Sequence, residues 1–260
     1  MRPFEWGIAA VLAAACVARW RAGTLRAFAR DALLLGAGAW LGEDTCIRWY
    51  GFYAYSRDWT VFVDRVPLLV ALIWPFVVVS ARDLAAHLGV SRAAALFVLY
   101  DALLIEPIAV QAGLWRWTEG AVFGVPLIGL AGWAFYALFA LWLLERLRGP
   151  ARLAAPVLAA AATHLALLAT WWGALRWLAP LRSPAPGALL AVMAWLLAAL
   201  LVAALVRRRL ARPPLLLWAP RAAGAAYFFA LLGAGAPAPA LVAYAAAFGA
   251  PWAIALARRA

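Results

Sequence analysis

Lysine and asparagine are absent from the 260 residues, and histidine occurs only at His87 and His164. Each absence removes a chemistry. Without lysine there is neither a Walker-type phosphate loop nor a Schiff base. Two histidines cannot supply the many imidazole ligands of a membrane di-iron oxygenase. Cys16 and Cys46 fit no ligand spacing and imply no disulfide framework. The chain has no G-x-S-x-G, no H-E-x-x-H and no dinucleotide glycine fingerprint, so serine hydrolysis, zinc proteolysis and dinucleotide redox lack their parts. No metal and no cofactor is expected. What stays open is carboxyl acid–base chemistry on a lipophilic molecule, or no chemistry.

Charge is scarce as well. Only 13% of residues are charged and 68% are hydrophobic, against roughly 25% and 45–50% in a soluble domain. This composition is that of an integral membrane protein. A crossing helix needs about 20 apolar residues, and candidate spans fall at 4–18, 32–51, 66–81, 93–114, 121–144, 153–175, 187–206, 214–233 and 238–256. The expectation is an all-α polytopic bundle of about seven to nine spans. The last two are crowded by Pro213, Pro214, Pro220, Pro237, Pro239 and Pro251, which would also suit a re-entrant pair. The linker "SPAPG" (183–187) suggests a core bundle over 1–182 that holds the site, and accessory helices over 187–260. Residues 1–18 read as a first helix rather than a cleaved leader, because the positive charge follows the apolar run.

A formal net charge of +12 would suggest nucleic acid in a soluble protein. Topology accounts for it here. With the N-terminus outside and the C-terminus inside, the inner loops hold Arg19, Arg21, Arg26, Arg30, Arg82, Arg92, Arg146, Arg148, Arg152, Arg207, Arg208, Arg209, Arg212, Arg221, Arg258 and Arg259, with only Asp31, Asp83 and Glu145 as acids. That is the positive-inside asymmetry of a bacterial or archaeal inner membrane, in contact with lipid and with no nucleic-acid partner.

The remaining acids carry the interest. The purely apolar part of the second span, residues 32–42, reaches only about 17 Å. To cross, it must carry Glu43 and Asp44 into the membrane and end near Tyr50 to Phe52, in an aromatic belt. In the fourth span, entered near Ala93, Asp101 lies about 12 Å deep and Glu106 about 20 Å, level with Glu43; His164 falls near that level too. An ionised carboxylate at mid-membrane costs about 2.5–3.5 kcal/mol, so these groups should face the bundle interior, paired or protonated. Arg48, Arg57, Arg65 and Arg116 lie nearer the outer interface and suit Asp44, Asp58, Asp64 or Glu119 better than Asp101. Asp101 and Glu106 stand about 140° apart on a helix, so one face holds both only if Pro107 bends it. Pro107 also frees the Leu103 carbonyl. His164 reads more readily as a hydrogen-bonded helix-packing residue than as a base or ligand. Trp40, Trp74, Trp115, Trp117 and Trp133, in or beside the acid-bearing spans, read either as interfacial anchors or as the walls of a slot for a flat conjugated ligand.

Two stretches, "GEDTCIRWYGFYAYSRDWTVFVDRVPLLVALIW" (42–74) and "LYDALLIEPIAVQAGLWRWTEGAVFGVPLIGLAGW" (99–133), resemble the membrane carotenoid biosynthesis protein family. The matching features are an acid ending the second span (Glu43), Tyr-x-Tyr (Tyr53, Tyr55) and V-P-L (66–68) before Trp74. They continue with a segment from Asp101 to Pro107 that is one residue longer than the family's, W-x-W (Trp115, Trp117), G-V-P (124–126) and Gly132-Trp133. Where the family often has Asn-Phe, this chain has Gly129 and Leu130. The resemblance implies a cofactor-independent hydro-lyase that hydrates the end of an acyclic carotenoid, working beside other enzymes of that pathway. Hydration needs a proton on the less substituted alkene carbon and a water on the resulting tertiary cation. The expected proton donor is Glu106 or Asp101, with Glu43 as partner. Tyr53 and Tyr55 would hold water, with Asp44 and His164 as further polar candidates. The indoles of Trp74, Trp115, Trp117 and Trp133 would shield the cation. End-group cyclisation or isomerisation begins with the same protonation and is the nearest alternative. A non-catalytic carotenoid- or lipid-binding subunit and a proton-coupled transporter are the others.

Overall fold

A computed structural model describes residues 2–208 and 214–257. Nine α-helices run through these residues: α1 (Arg2–Arg21), α2 (Leu25–Tyr50), α3 (Leu68–His87), α4 (Ala94–Gln111), α5 (Leu127–Arg146), α6 (Ala155–Gly173), α7 (Gly187–Arg208), α8 (Leu215–Ala234) and α9 (Pro239–Ala257). The chain is an all-α helical bundle. Among the described residues, five helical stretches are long and apolar enough to cross a membrane: Leu68–His87, Ser91–Gln111, Leu127–Arg146, Gly149–Trp177 and Gly187–Ala204. Large apolar side chains on α6 and α7, among them Leu165, Met193, Leu196 and Leu200, are exposed. Patches of that kind fit a surface solvated by lipid rather than water.

The charged ends of the bundle are ordered by ion pairs. At one end, where α1 and α3 finish and α2 and α6 begin, Arg19 meets Asp83 at 3.3 Å, Arg82 meets Asp31 at 3.2 Å and Asp83 at 3.1 Å, and Arg152 meets Asp31 at 3.1 Å. At the opposite, loop-rich end, Arg48 meets Asp44 at 2.6 Å and also pairs with Asp64. Of the arginines counted with the inner loops, Arg209, Arg212, Arg258 and Arg259 lie outside the described residues. Arg221 is a correction to that count, because it sits inside α8, paired with Asp101.

Prolines mark element boundaries and also fall inside helices, at Pro75, Pro107, Pro220 and Pro251. Pro67 and Pro126 immediately precede α3 and α5, where a fixed φ and a missing N–H cost nothing. Pro107 lies within α4, which nevertheless runs on to Gln111. The carbonyl it frees, that of Leu103, accepts a hydrogen bond of 2.9 Å from the Tyr244 hydroxyl on α9. α8 and α9 run on through Pro220 and Pro251 as helices of 20 and 19 residues, not as a re-entrant pair. α7 packs chiefly on α9, while α8 packs on α1, α3 and α4.

The helical pattern misses two small strand pairs at the loop-rich end. α2 stops at Gly51, whose left-handed φ of 64° lets its N–H close on the Ile47 carbonyl at 3.1 Å. The chain then forms β1 (Tyr53–Tyr55), which pairs antiparallel with β4 (Trp115–Trp117), the segment after α4. β2 (Phe62–Val63) and β3 (Val66–Pro67) make a second hairpin before α3. The register of β1 with β4 sets Tyr53 opposite Trp117 and Tyr55 opposite Trp115. Alternate residues of a strand share a face, so all four large rings lie on one side of this ribbon, and Ala54 and Arg116 on the other.

Candidate active site

The four rings of the ribbon close one end of a cavity of about 250 Å³. Its walls come from α1, α2, α3, α4, α5, α6, α8 and α9, and they are mainly apolar and aromatic. Three carboxyl groups lie in that wall, and two of them, Glu43 and Glu106, are ringed by aromatic donors. Glu43, one turn and more before the end of α2, accepts Trp74 Nε1–H on Oε1 at 2.6 Å. Its Oε2 accepts the Tyr53 hydroxyl at 3.2 Å and the Tyr55 hydroxyl. Glu106, on α4 and only 3% exposed, accepts three indoles: Trp115 at 2.7 Å and Trp117 at 3.0 Å on Oε2, and Trp133 at 2.7 Å on Oε1. Each acid therefore has three donors, which offset the cost of leaving water.

The two clusters are one unit. Trp74, bonded to Glu43, packs against Trp133, bonded to Glu106, with ring centroids 4.5 Å apart. Across the ribbon, Tyr53 and Trp117 are 4.6 Å apart and Tyr55 and Trp115 are 5.8 Å apart. Trp117 fits because residue 129 is glycine: a Cβ there would stand 2.7 Å from the indole ring. Glycine at 129 thus leaves room for a donor to Glu106.

The donors differ in kind. An indole N–H can only donate, whereas a phenol donates and accepts. Burial pushes the phenols of Tyr53 and Tyr55 well above their ordinary value, so both keep their protons at neutral pH. A protonated Glu43 can therefore donate a hydrogen bond to a phenol oxygen or to a bound molecule. Glu106 has no acceptor among its three bonded partners.

The other residues singled out by sequence fall elsewhere. Asp101 lines the cavity but pairs with Arg221 of α8 through the guanidinium Nη2. Asp44 is 5% exposed, bonded to Arg48 and to the Arg65 backbone N–H at 3.3 Å, and is not among the cavity residues. His164 is also outside the lining. Its Nε2 lies 2.6 Å from Thr45 Oγ1 and its Nδ1 lies 3.0 Å from the Tyr50 hydroxyl. Because the Thr45 hydroxyl lies 2.6 Å from the Leu41 carbonyl and donates to it, His164 donates from Nε2 and accepts at Nδ1, a helix-locking arrangement. Trp40 donates to the Val63 carbonyl at 2.9 Å, tying α2 to the second hairpin. Sequence reasoning missed Arg221, which it had placed in a loop. The available signal was a lone arginine seven residues into an apolar run that begins at Pro214.

The family described as carotenoid biosynthesis protein matches residues 6–197, which includes both carboxyl clusters and Asp101 but ends before α8. No curated protein and no solved structure matches the chain.

Proposed function

Because the chain belongs to the carotenoid biosynthesis protein family, we propose that it is a membrane hydratase that adds water to a terminal double bond of an acyclic carotenoid. The observation that carries this reading is the pairing of two carboxyls in one apolar cavity, each ringed by aromatic donors of different kinds. Glu43 is the proton donor, since its phenol neighbours tolerate a protonated carboxyl. Glu106 is the standing carboxylate, since three donor-only indoles favour the charged form. This reverses the sequence expectation, which gave the proton to Glu106 or Asp101 and made Glu43 the partner.

The steps balance without a cofactor. The Glu43 carboxyl proton adds to the less substituted alkene carbon, and the π electrons form the new C–H bond. A tertiary cation remains, facing indole rings and the Glu106 carboxylate. Water forms a C–O bond to the cation and gives one proton to Glu106. Transfer of that proton from Glu106 to Glu43 restores the pair. Tyr53 and Tyr55 hold the Glu43 carboxyl in place, and Trp115, Trp117 and Trp133 hold that of Glu106.

A cavity of about 250 Å³, against the roughly 300–1,000 Å³ of pockets for drug-sized ligands, suits one end of a long polyene. The rest of the chain extends into the surrounding lipid. The arginine-rich end of the bundle faces the cytoplasm across a bacterial or archaeal inner membrane. The largely apolar lining also suits end-group cyclisation, which starts with the same proton and excludes water. Expression in a host that makes lycopene, followed by pigment chromatography with mass detection, separates the two. A product heavier by one water per modified end supports hydration. A new pigment of unchanged mass supports cyclisation, and unchanged pigment retained by the protein supports a binding subunit.

A further inference from the structure

Among the described residues, four buried side-chain polar atoms lack a hydrogen-bond partner: Arg152 Nε, Arg182 Nε, Arg221 Nε and the Tyr227 hydroxyl. Two of the four, Arg221 and Tyr227, belong to α8 and line the cavity. Unpaired buried donors are costly and call for an explanation. Arg152 and Arg182 lie outside the cavity.

Arg221 is held rigidly. Its side chain is 6% exposed; Nη1 donates to Ser80 Oγ at 2.9 Å, and Nη2 donates to Asp101 and to the Phe97 carbonyl at 3.5 Å. Three of its five N–H groups are thus spent, and Nε is left with no partner at all. Tyr227, about 9 Å further along α8, packs its ring on Phe4 at 4.6 Å with its hydroxyl unpartnered. Between them Gly224 leaves open space, with no atom within 4 Å of where a Cβ would be. The cavity therefore has a second polar wall, with Arg221 beside Asp101, about 7.5 Å along α4 from Glu106, and Tyr227 nearer the loop-rich end, beside Phe4. It comes from a helix beyond residues 6–197 that the family matches.

We propose that α8 forms an oxygen-recognising wall, in which Arg221 Nε–H and the Tyr227 hydroxyl bind neutral oxygen functions, hydroxyl or carbonyl, on the lipophilic ligand. The proposal rests on the reading of the cavity as an isoprenoid site, and it names the ligand class: an oxygenated polyene is preferred to its hydrocarbon parent. A neutral oxygen is specified because Asp101 already compensates the arginine charge. A carboxylate would face Asp101 without a free cation to match it.

The test is a binding ratio, read without turnover. The full chain in lipid nanodiscs is titrated with an acyclic carotene, the same polyene bearing one end hydroxyl, and the same polyene bearing an end carboxylate. The hydroxylated polyene should bind about tenfold or more tightly than the hydrocarbon, as expected for hydrogen bonds that include a charged donor. Tyr227→Phe removes an oxygen with no protein partner, so it should fold with undiminished thermal stability while the ratio falls. Arg221→Lys keeps a positive charge opposite Asp101, removes Nε–H, and should lower the ratio further. Equal affinity for hydrocarbon and alcohol in the wild type, tightest binding of the carboxylate, or a ratio unchanged in both variants would overturn the proposal. Selective binding without any hydrated product would instead overturn the hydratase reading and leave this one standing.

Discussion

At the scale of single residues, three acids in or beside the cavity wall have three different settings. Glu43 faces two phenols and one indole, Glu106 faces three indoles, and Asp101 faces a guanidinium. Replacing Glu43 or Glu106 by Gln keeps shape and removes the acid or the base. Each change should lower product yield by about 10²–10⁴, the usual contribution of a positioned proton-transfer group, with normal accumulation in membranes. Full activity in either variant would remove that residue from the mechanism. Asp101→Asn should behave otherwise. It strands the buried Arg221 charge, a loss of about 3–5 kcal/mol when one partner of a buried pair goes, so accumulation and thermal stability should fall. Stability measured for Asp101→Asn combined with Arg221→Gln should return towards wild type, because no unpaired charge remains.

At the scale of elements, the three-residue ribbon of β1 and β4 matters more than its length suggests. Its pairing register brings tyrosines from one end of α2 and tryptophans from one end of α4 onto one face, so that the two acids share an aromatic wall. Gly129→Asn tests that wall. The new side chain would meet the Trp117 ring, within 2.7 Å of which even a Cβ would fall, and overpacking of this kind costs about 1–3 kcal/mol. Product yield and melting temperature should both drop, and Gly129→Asn with Trp117→Ala should recover the melting temperature but not the yield. On α4, the carbonyl freed by Pro107 is covered by Tyr244. Tyr244→Phe leaves it bare, at a cost of about 1–3 kcal/mol in thermal unfolding.

At the scale of the whole molecule, the cavity is not complete without α8. Residues 183–187 read as a linker between a core and an accessory part, yet Pro220, Arg221, Gly224 and Tyr227 beyond it line the same cavity as Glu43 and Glu106. A chain of residues 1–208 should accumulate poorly and give no product, because Asp101 would lie unpaired beside a cavity open on the α8 side. Co-expression of residues 214–260 should restore accumulation, as measured by immunoblot of the membrane fraction. Failure of that rescue, with an intact level of the short chain alone, would show that α8 is dispensable.

Composition and run length were enough to read the bundle from the sequence, because a lipid solvent demands long apolar helices whatever their packing. The placement of Glu43 and Glu106 was legible too: a carboxyl inside an apolar span must face the bundle interior, depth arithmetic set the two level, and both line one cavity. The identity of their partners was not legible. Trp74, Trp115, Trp117 and Trp133 were candidates for a slot and equally for interfacial anchors, and only strand register and helix packing turned them into hydrogen-bond donors to particular oxygens. Arg221 was hidden for a related reason. It falls within the candidate span 214–233 but was counted with the inner-loop arginines, while its partner, Asp101, lies 120 residues away. Hydrophobic periodicity is a local property that a linear reading can measure; the pairing of buried charges joins distant segments, and the tertiary fold alone brings those together.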